Sequence, residues 1–209
     1  MTALEQILGH KIVAILRGCD PAHIMEITAA LYDGGIRLLE ITLNSPGALD
    51  AIRQVSGQYG DRMVIGAGTV LTTGEVKAAI AAGARFVLSP SLDLDIIRVT
   101  RDLGAVSVPG AFTATEILAA HRNGAHIVKV FPASVGPSYF RDIRGPFPHI
   151  PLMPTGGVNL DNIRDFQKAG AVAFGIGSAL VPASQSVAPG DLQQLTARAA
   201  AYVAAVQGN

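Results

Sequence analysis

Eight short runs of β-branched and apolar residues recur along the chain: IVAILRG (12–18), LLEITL (38–43), VIGAGTV (64–70), FVLSP (86–90), VSVPG (106–110), IVKVFP (127–132), LMPTGG (152–157) and AFGIGS (173–178). Between them, apolar residues return every three or four positions, as in Glu75 to Ile80 and Asp93 to Leu103, which is the spacing of a helix with one buried face. Gly34-Gly35, Gly83, Gly104, Gly124 and Gly170 stand where a helical stretch gives way to the next run, with 21 residues from Gly83 to Gly104 and 20 from Gly104 to Gly124. Glycine there can take the left-handed conformation that ends a helix and turns the chain. The pattern is a βα repeat.

Strands that are apolar almost throughout belong to a parallel sheet covered on both faces. Eight βα units in 209 residues predict an α/β fold, a single (β/α)8 TIM barrel domain over 1–209 at the short end of the size range. An open doubly wound sheet is the alternative arrangement of the same units. The repeat is bracketed by an expected N-terminal helix at 2–9, with Thr2 and Glu5 at capping-box spacing, and an expected C-terminal helix at 190–206. Tryptophan is absent and glycine numbers 23, so the core closes through small and branched side chains.

Several function classes are excluded at this level. Sixteen Lys and Arg balance sixteen Asp and Glu, with no basic stripe, so a nucleic-acid partner is not expected. No apolar run reaches the roughly 18 residues of a membrane span. The single cysteine, Cys19, can form no internal disulfide, and the expected location is cytoplasmic. The histidines (His10, His23, His121, His126, His149) show no metal-ligand spacing, so no metal is expected. Gly175-Ile176-Gly177 does not extend to a dinucleotide fingerprint, and Gly66-Ala67-Gly68-Thr69 lacks a P-loop lysine, so no nucleotide cofactor is expected either.

Barrel strands are apolar, and barrel chemistry sits at their C-terminal ends. Three charged residues break that rule: Arg17, Glu40 and Lys129. Lys129, between Ile127-Val128 and Val130-Phe131, would be stripped of water, which favours the neutral amine, a nucleophile toward carbonyls. Glu40 shares a face with Thr42, while Leu39, Ile41 and Leu43 point the other way. If that face is the interior, the carboxyl can act as acid and base beside the amine. Arg17 ends the first run, where its fork could hold a substrate carboxylate and help keep Lys129 neutral. A buried Lys129–Glu40 ion pair and a solvated Arg17 are the unreactive alternatives.

Two glycine clusters, Gly156-Gly157 and Gly175-Ile176-Gly177-Ser178, follow the last two runs. Each is read as placing free backbone N–H groups at a helix start, a phosphate site in the position where barrels commonly have one.

Taken together, IVAILRG, EITLNSP, GAGTV, SPS, PGAFTATE, KVFPAS, PTGGV and GIGSAL resemble, in order and spacing, the class I 2-keto-3-deoxy-6-phosphogluconate/galactonate aldolase family over essentially the whole chain. The resemblance implies Lys129 as the Schiff-base lysine and Glu40 as a proton carrier acting through water. It places Arg17, Thr69, Ser89, Pro90 and Pro109 around the pyruvate portion, with Gly156, Gly157, Gly175, Gly177 and Ser178 on the 6-phosphate. It also implies a homotrimer without metal or organic cofactor. Asn44, in EITLNSP, stands where gluconate-type members carry an arginine, and this looks like the galactonate-type branch. The expected reaction is cleavage of 2-dehydro-3-deoxy-6-phospho-D-galactonate to pyruvate and D-glyceraldehyde 3-phosphate, with the gluconate epimer as a second candidate substrate. Two other readings keep the barrel: a phosphosugar isomerase or epimerase using Glu40 without an imine, and a non-catalytic phosphosugar-binding barrel.

Overall fold

The structure, a computed structural model, describes residues 1–207. The strands are β1 (Ile12–Leu16), β2 (Leu38–Thr42), β3 (Val64–Gly68), β4 (Phe86–Leu88), β5 (Val106–Val108), β6 (Gly110–Ala111), β7 (Val128–Val130), β8 (Leu152–Pro154) and β9 (Phe174–Ile176). The helices are α1 (Ala3–His10), α2 (Ile24–Asp33), α3 (Ala48–Tyr59), α4 (Thr73–Ala81), α5 (Leu94–Asp102), α6 (Ala114–Arg122), α7 (Pro137–Arg144), α8 (Ile163–Lys168) and α9 (Pro189–Gln207). Gly35, Gly83, Gly104, Gly124 and Gly170 all adopt positive φ where a helix hands over to a strand. Thr2 and Glu5 form the expected capping box on α1, and Thr72/Glu75 and Thr113/Glu116 repeat it on α4 and α6. None of these helices is long and apolar enough to cross a membrane.

All strand pairings are parallel, as the repeat requires, but the expected eight-stranded barrel is not one continuous ladder. Six strands pair in the order β5-β4-β3-β2-β1-β9, and three in the order β6-β7-β8. The division has a local cause. Pro109 lacks an N–H and interrupts the 106–111 run, so β5 pairs with β4 on one side while β6 pairs with β7 on the other. Between β8 and β9 the pairing is reduced to a single parallel bridge, Thr155 with Gly175.

The period-2 alternation of the strands sorts their side chains into two apolar layers. Leu39, Ile41, Val128 and Val130 pack outward under the helices. Val13, Leu38, Val64, Phe86, Val106, Ile127, Met153 and Ala173 form a separate inner cluster, closed by Ile7, Ala3 and Leu4 of α1. The N-terminal helix thus plugs the end where the strands begin, so the chemistry is displaced to the end where they finish.

Candidate active site

Two residues beyond the inner cluster along β7 and β2, the interior changes character. Lys129 shares its face with Ile127, and Glu40 with Leu38, so both project into the interior, where they are 2% and 0% exposed. Lys129 Nζ lies 5.0 Å from the centroid of the Phe131 ring. Neither oxygen of Glu40 has a hydrogen-bond partner, and among the described residues Lys129 and Glu40 make no direct ion pair. Burial pushes the Glu40 carboxyl well above the usual carboxylate range, partly offset by the positive charges of Lys129 and Arg17. Burial likewise lowers the Lys129 amine, reinforced by Arg17 and opposed by Glu40. Low polarity therefore drives the two groups toward their uncharged forms, a neutral amine beside a neutral acid.

Neither group lines the neighbouring cavity of about 300 Å³, which is joined to them through Phe131; its wall also includes Arg17, Ile15 and Thr155. Both glycine clusters line it, through Gly156, Gly157, Gly175, Gly177 and Ser178. The expected helix starts behind those glycines are not there. After Gly156-Gly157 the chain makes a turn and α8 begins only at Ile163, and after Gly177 it makes one turn, closed by Leu180 and Val181 N–H bonds to the Gly177 carbonyl. Asparagines explain the delay at the first cluster. Asn162 Oδ1 accepts the Asn159 N–H at 2.9 Å and its Nδ2 donates to the Gly157 carbonyl at 2.8 Å, local bonds that compete with the helix ladder. Any anion held here is therefore bound by turn N–H groups and the Arg17 charge, with no helix dipole behind it.

Arg17 reaches the cavity because the exit of β1 is fastened to the turn after β2. Gly18 N–H donates to Ser45 Oγ at 2.8 Å, and Thr42 Oγ1, 2.9 Å from Ser45 Oγ, donates to the Leu16 carbonyl. The other predicted residues, like Lys129 and Glu40, are not among those lining this cavity. Asn44 is exposed in that turn, and Thr69 is half-buried with φ 55° just past β3. Ser89 spends its hydroxyl on the Ser91 carbonyl at 2.7 Å. Pro90 and Pro109 belong to the packed wall, where the backbone of Ser89-Pro90 would meet a Cβ at Gly110 within 2.4 Å. Cys19 is buried in the helix–sheet layer, which raises its thiol.

Thr155 was not among the predicted residues. Its hydroxyl is buried, has no partner and borders the cavity. Alternation from Met153 in LMPTGG places it inward, and that was the available signal.

A family profile described as "Aldolase: KDPG and KHG aldolase" matches residues 4–198 of this chain. The chain belongs to that family. Among curated relatives, the 2-dehydro-3-deoxy-6-phosphogalactonate aldolase of Escherichia coli (strain K12) is 37% identical over 94% of this chain and 96% of its own. Of solved structures, one described as native KDPGal superposes with a TM-score of 0.86 at 36% identity, over 94% of this chain and 96% of the other. The KDPG aldolase of Legionella pneumophila, captured with pyruvate as a covalent carbinolamine, superposes at 0.85 with 26% identity, over 96% of this chain and 98% of the other. The fold is thus the TIM-like α/β fold of KDPG aldolases, and the buried lysine and carboxyl stand within a KDPG/KHG aldolase scaffold.

Proposed function

We propose that this chain is a class I aldolase that cleaves 2-dehydro-3-deoxy-6-phospho-D-galactonate to pyruvate and D-glyceraldehyde 3-phosphate. The observation that carries the proposal is the buried, unpaired Lys129 amine, 5.0 Å from the ring of Phe131, itself a wall residue of a cavity rimmed by Arg17 and two glycine turns. The neutral amine attacks the C2 carbonyl, and the carbinolamine loses water as Glu40 gives its proton to the departing hydroxyl, leaving a protonated imine beside a carboxylate that can accept the next proton. Loss of the C4 hydroxyl proton, taken up by Glu40 through a water molecule, breaks the C3–C4 bond. The aldehyde departs and the bonding pair is left as an enamine on the pyruvate fragment. Returning a proton to C3 and adding water back across the imine release pyruvate and restore the amine.

Arg17 supplies the positive charge for the substrate carboxylate. The N–H groups of Gly156, Gly157, Gly175, Gly177 and Ser178 supply donors for the 6-phosphate. Thr69, Ser89, Pro90, Pro109 and Asn44 stay outside this set as wall and turn residues. We further read the two sheets as one eight-staved barrel, with β5 and β6 as a single stave broken at Pro109 and the Thr155–Gly175 bridge as the seam.

A homotrimer goes with this reading. Leu49, Leu71 and Leu94 are exposed on the segments that follow the neighbouring strands β2, β3 and β4, apolar side chains that another copy would cover. The single buried cysteine fits a cytoplasmic setting. No observation favours the isomerase or the non-catalytic alternative.

The test is pyruvate release, coupled to a lactate dehydrogenase readout, from the galactonate and gluconate epimers in parallel. The proposal expects turnover with the larger kcat/KM on the galactonate epimer. No pyruvate from either epimer overturns the aldolase reading, and a preference for the gluconate epimer overturns the substrate assignment.

A further inference from the structure

We propose that Gly68 is a positioning residue of this reaction, its missing side chain being the berth that fixes where the Glu40 carboxyl meets the substrate. The inference rests on the aldolase reading and adds a residue to it. On β2, Glu40 is flanked in register by Ile15 of β1 and Gly66 of β3. From there its side chain leans toward the strand exits. A Cβ at Gly68 would lie 1.6 Å from Glu40 Oε1, 2.4 Å from Cδ and 2.7 Å from Cγ, so the carboxyl fills the space of the absent side chain.

Three observations separate this from ordinary close packing. First, Gly68 is not among the positive-φ glycines, so its backbone does not call for glycine. Second, the β3 backbone cannot easily retreat: Gly68 pairs with Thr42 and its carbonyl accepts the Leu43 N–H at 2.8 Å. Third, no hydrogen bond holds either Glu40 oxygen, so the shape of the berth is what fixes the carboxyl. Gly66, two residues earlier, makes the contrast. A Cβ there would run into the Phe86 ring at 2.4 Å, a stiff obstacle in the apolar floor, so that glycine serves packing. At Gly68 the obstacle is the mobile end of a side chain. A methyl there displaces the carboxyl and leaves the strand in place.

The experiment is Gly68→Ala in the full chain, alone and combined with Glu40→Asp, whose carboxyl is one methylene shorter. The expected result is a kcat lower by on the order of 10²-fold with KM little changed. Borohydride trapping of pyruvate on Lys129 should persist, because the amine on β7 is untouched. Glu40→Asp should cost markedly less in the Gly68→Ala background than in the parent, the non-additivity of two groups sharing one space. Wild-type kcat in a folded Gly68→Ala protein, or strictly additive effects, overturns the proposal. If Gly68→Ala does not fold, the combined variant decides: folding supports the berth, and failure shows that the backbone itself demands glycine. Failure of the aldolase reading is distinguishable, since the parent enzyme would then release no pyruvate and trap none.

Discussion

Replacing Glu40 by glutamine probes chemistry and electrostatics at once. The side chain keeps its shape, but it can no longer exchange a proton with the substrate, and kcat should fall by about 10²- to 10⁴-fold. The stability consequence follows from burial. Because the folded-state pKa of Glu40 lies above its unfolded value of about 4.3, the native state holds more protons than the unfolded state between those two values. Wild-type stability therefore falls as pH rises through that window, whereas Glu40→Gln has no such term. The slope for one group cannot exceed about 1.36 kcal/mol per pH unit. With an unfolding entropy of about 2.1 cal/mol/K per residue, a chain of this length loses at most about 3 °C in Tm per pH unit from this group. Thermal melts of both proteins from pH ~4.5 upward should show the variant gaining on the wild type until the raised folded-state pKa of Glu40 is passed. Parallel curves would mean that the carboxyl is hydrated in the folded protein, refuting the buried neutral acid.

Replacing both buried polar groups, as Lys129→Met with Glu40→Leu, should abolish turnover while raising stability by about 1–4 kcal/mol in urea unfolding, because a desolvated pair gives way to apolar packing. Gly157→Ala strains a residue at φ 89° and brings a Cβ within 2.9 Å of Ser134 Cα. It should raise KM for the phosphorylated substrate about tenfold, equivalent to ~1.4 kcal/mol, and leave pyruvate trapping intact in a parallel borohydride assay. Gly34→Ala drives a Cβ to 2.5 Å from Ala199 Cβ and 2.6 Å from the Thr196 carbonyl, wedging α2 from α9. It should cost ~1–3 kcal/mol in calorimetry with kcat of the folded fraction unchanged.

What could be read from the sequence was whatever a short window encodes. The glycines at 83, 104 and 124 mark helix ends because the backbone there needs a positive φ, and LLEITL fixes the inward face of Glu40 by alternation alone. Thr2 and Glu5 announce α1 by a local hydrogen-bond pattern, although its role as the plug of the inner cluster depends on strands far along the chain. The rest was hidden for the same reason. That Gly68 makes room for Glu40 depends on the register of β3 against β2, 28 residues apart in sequence. The asparagine bonds that postpone α8 look, in sequence, like an ordinary helix entry. Pro109 reads as the end of one strand, and only the pairing shows it dividing two ladders. Asn44 follows the strand that carries Glu40, yet the turn closed by Ser45 N–H to the Thr42 carbonyl leaves it exposed.

Catalysis here requires an uncharged lysine in the seventh strand to bond covalently to a ketone. Incubating the protein with pyruvate, reducing with borohydride and mapping peptides by mass spectrometry tests it directly. The expected product is a carboxyethyl adduct on Lys129, with loss of activity. An unmodified Lys129 in protein that still releases pyruvate from its substrate would rule out the imine.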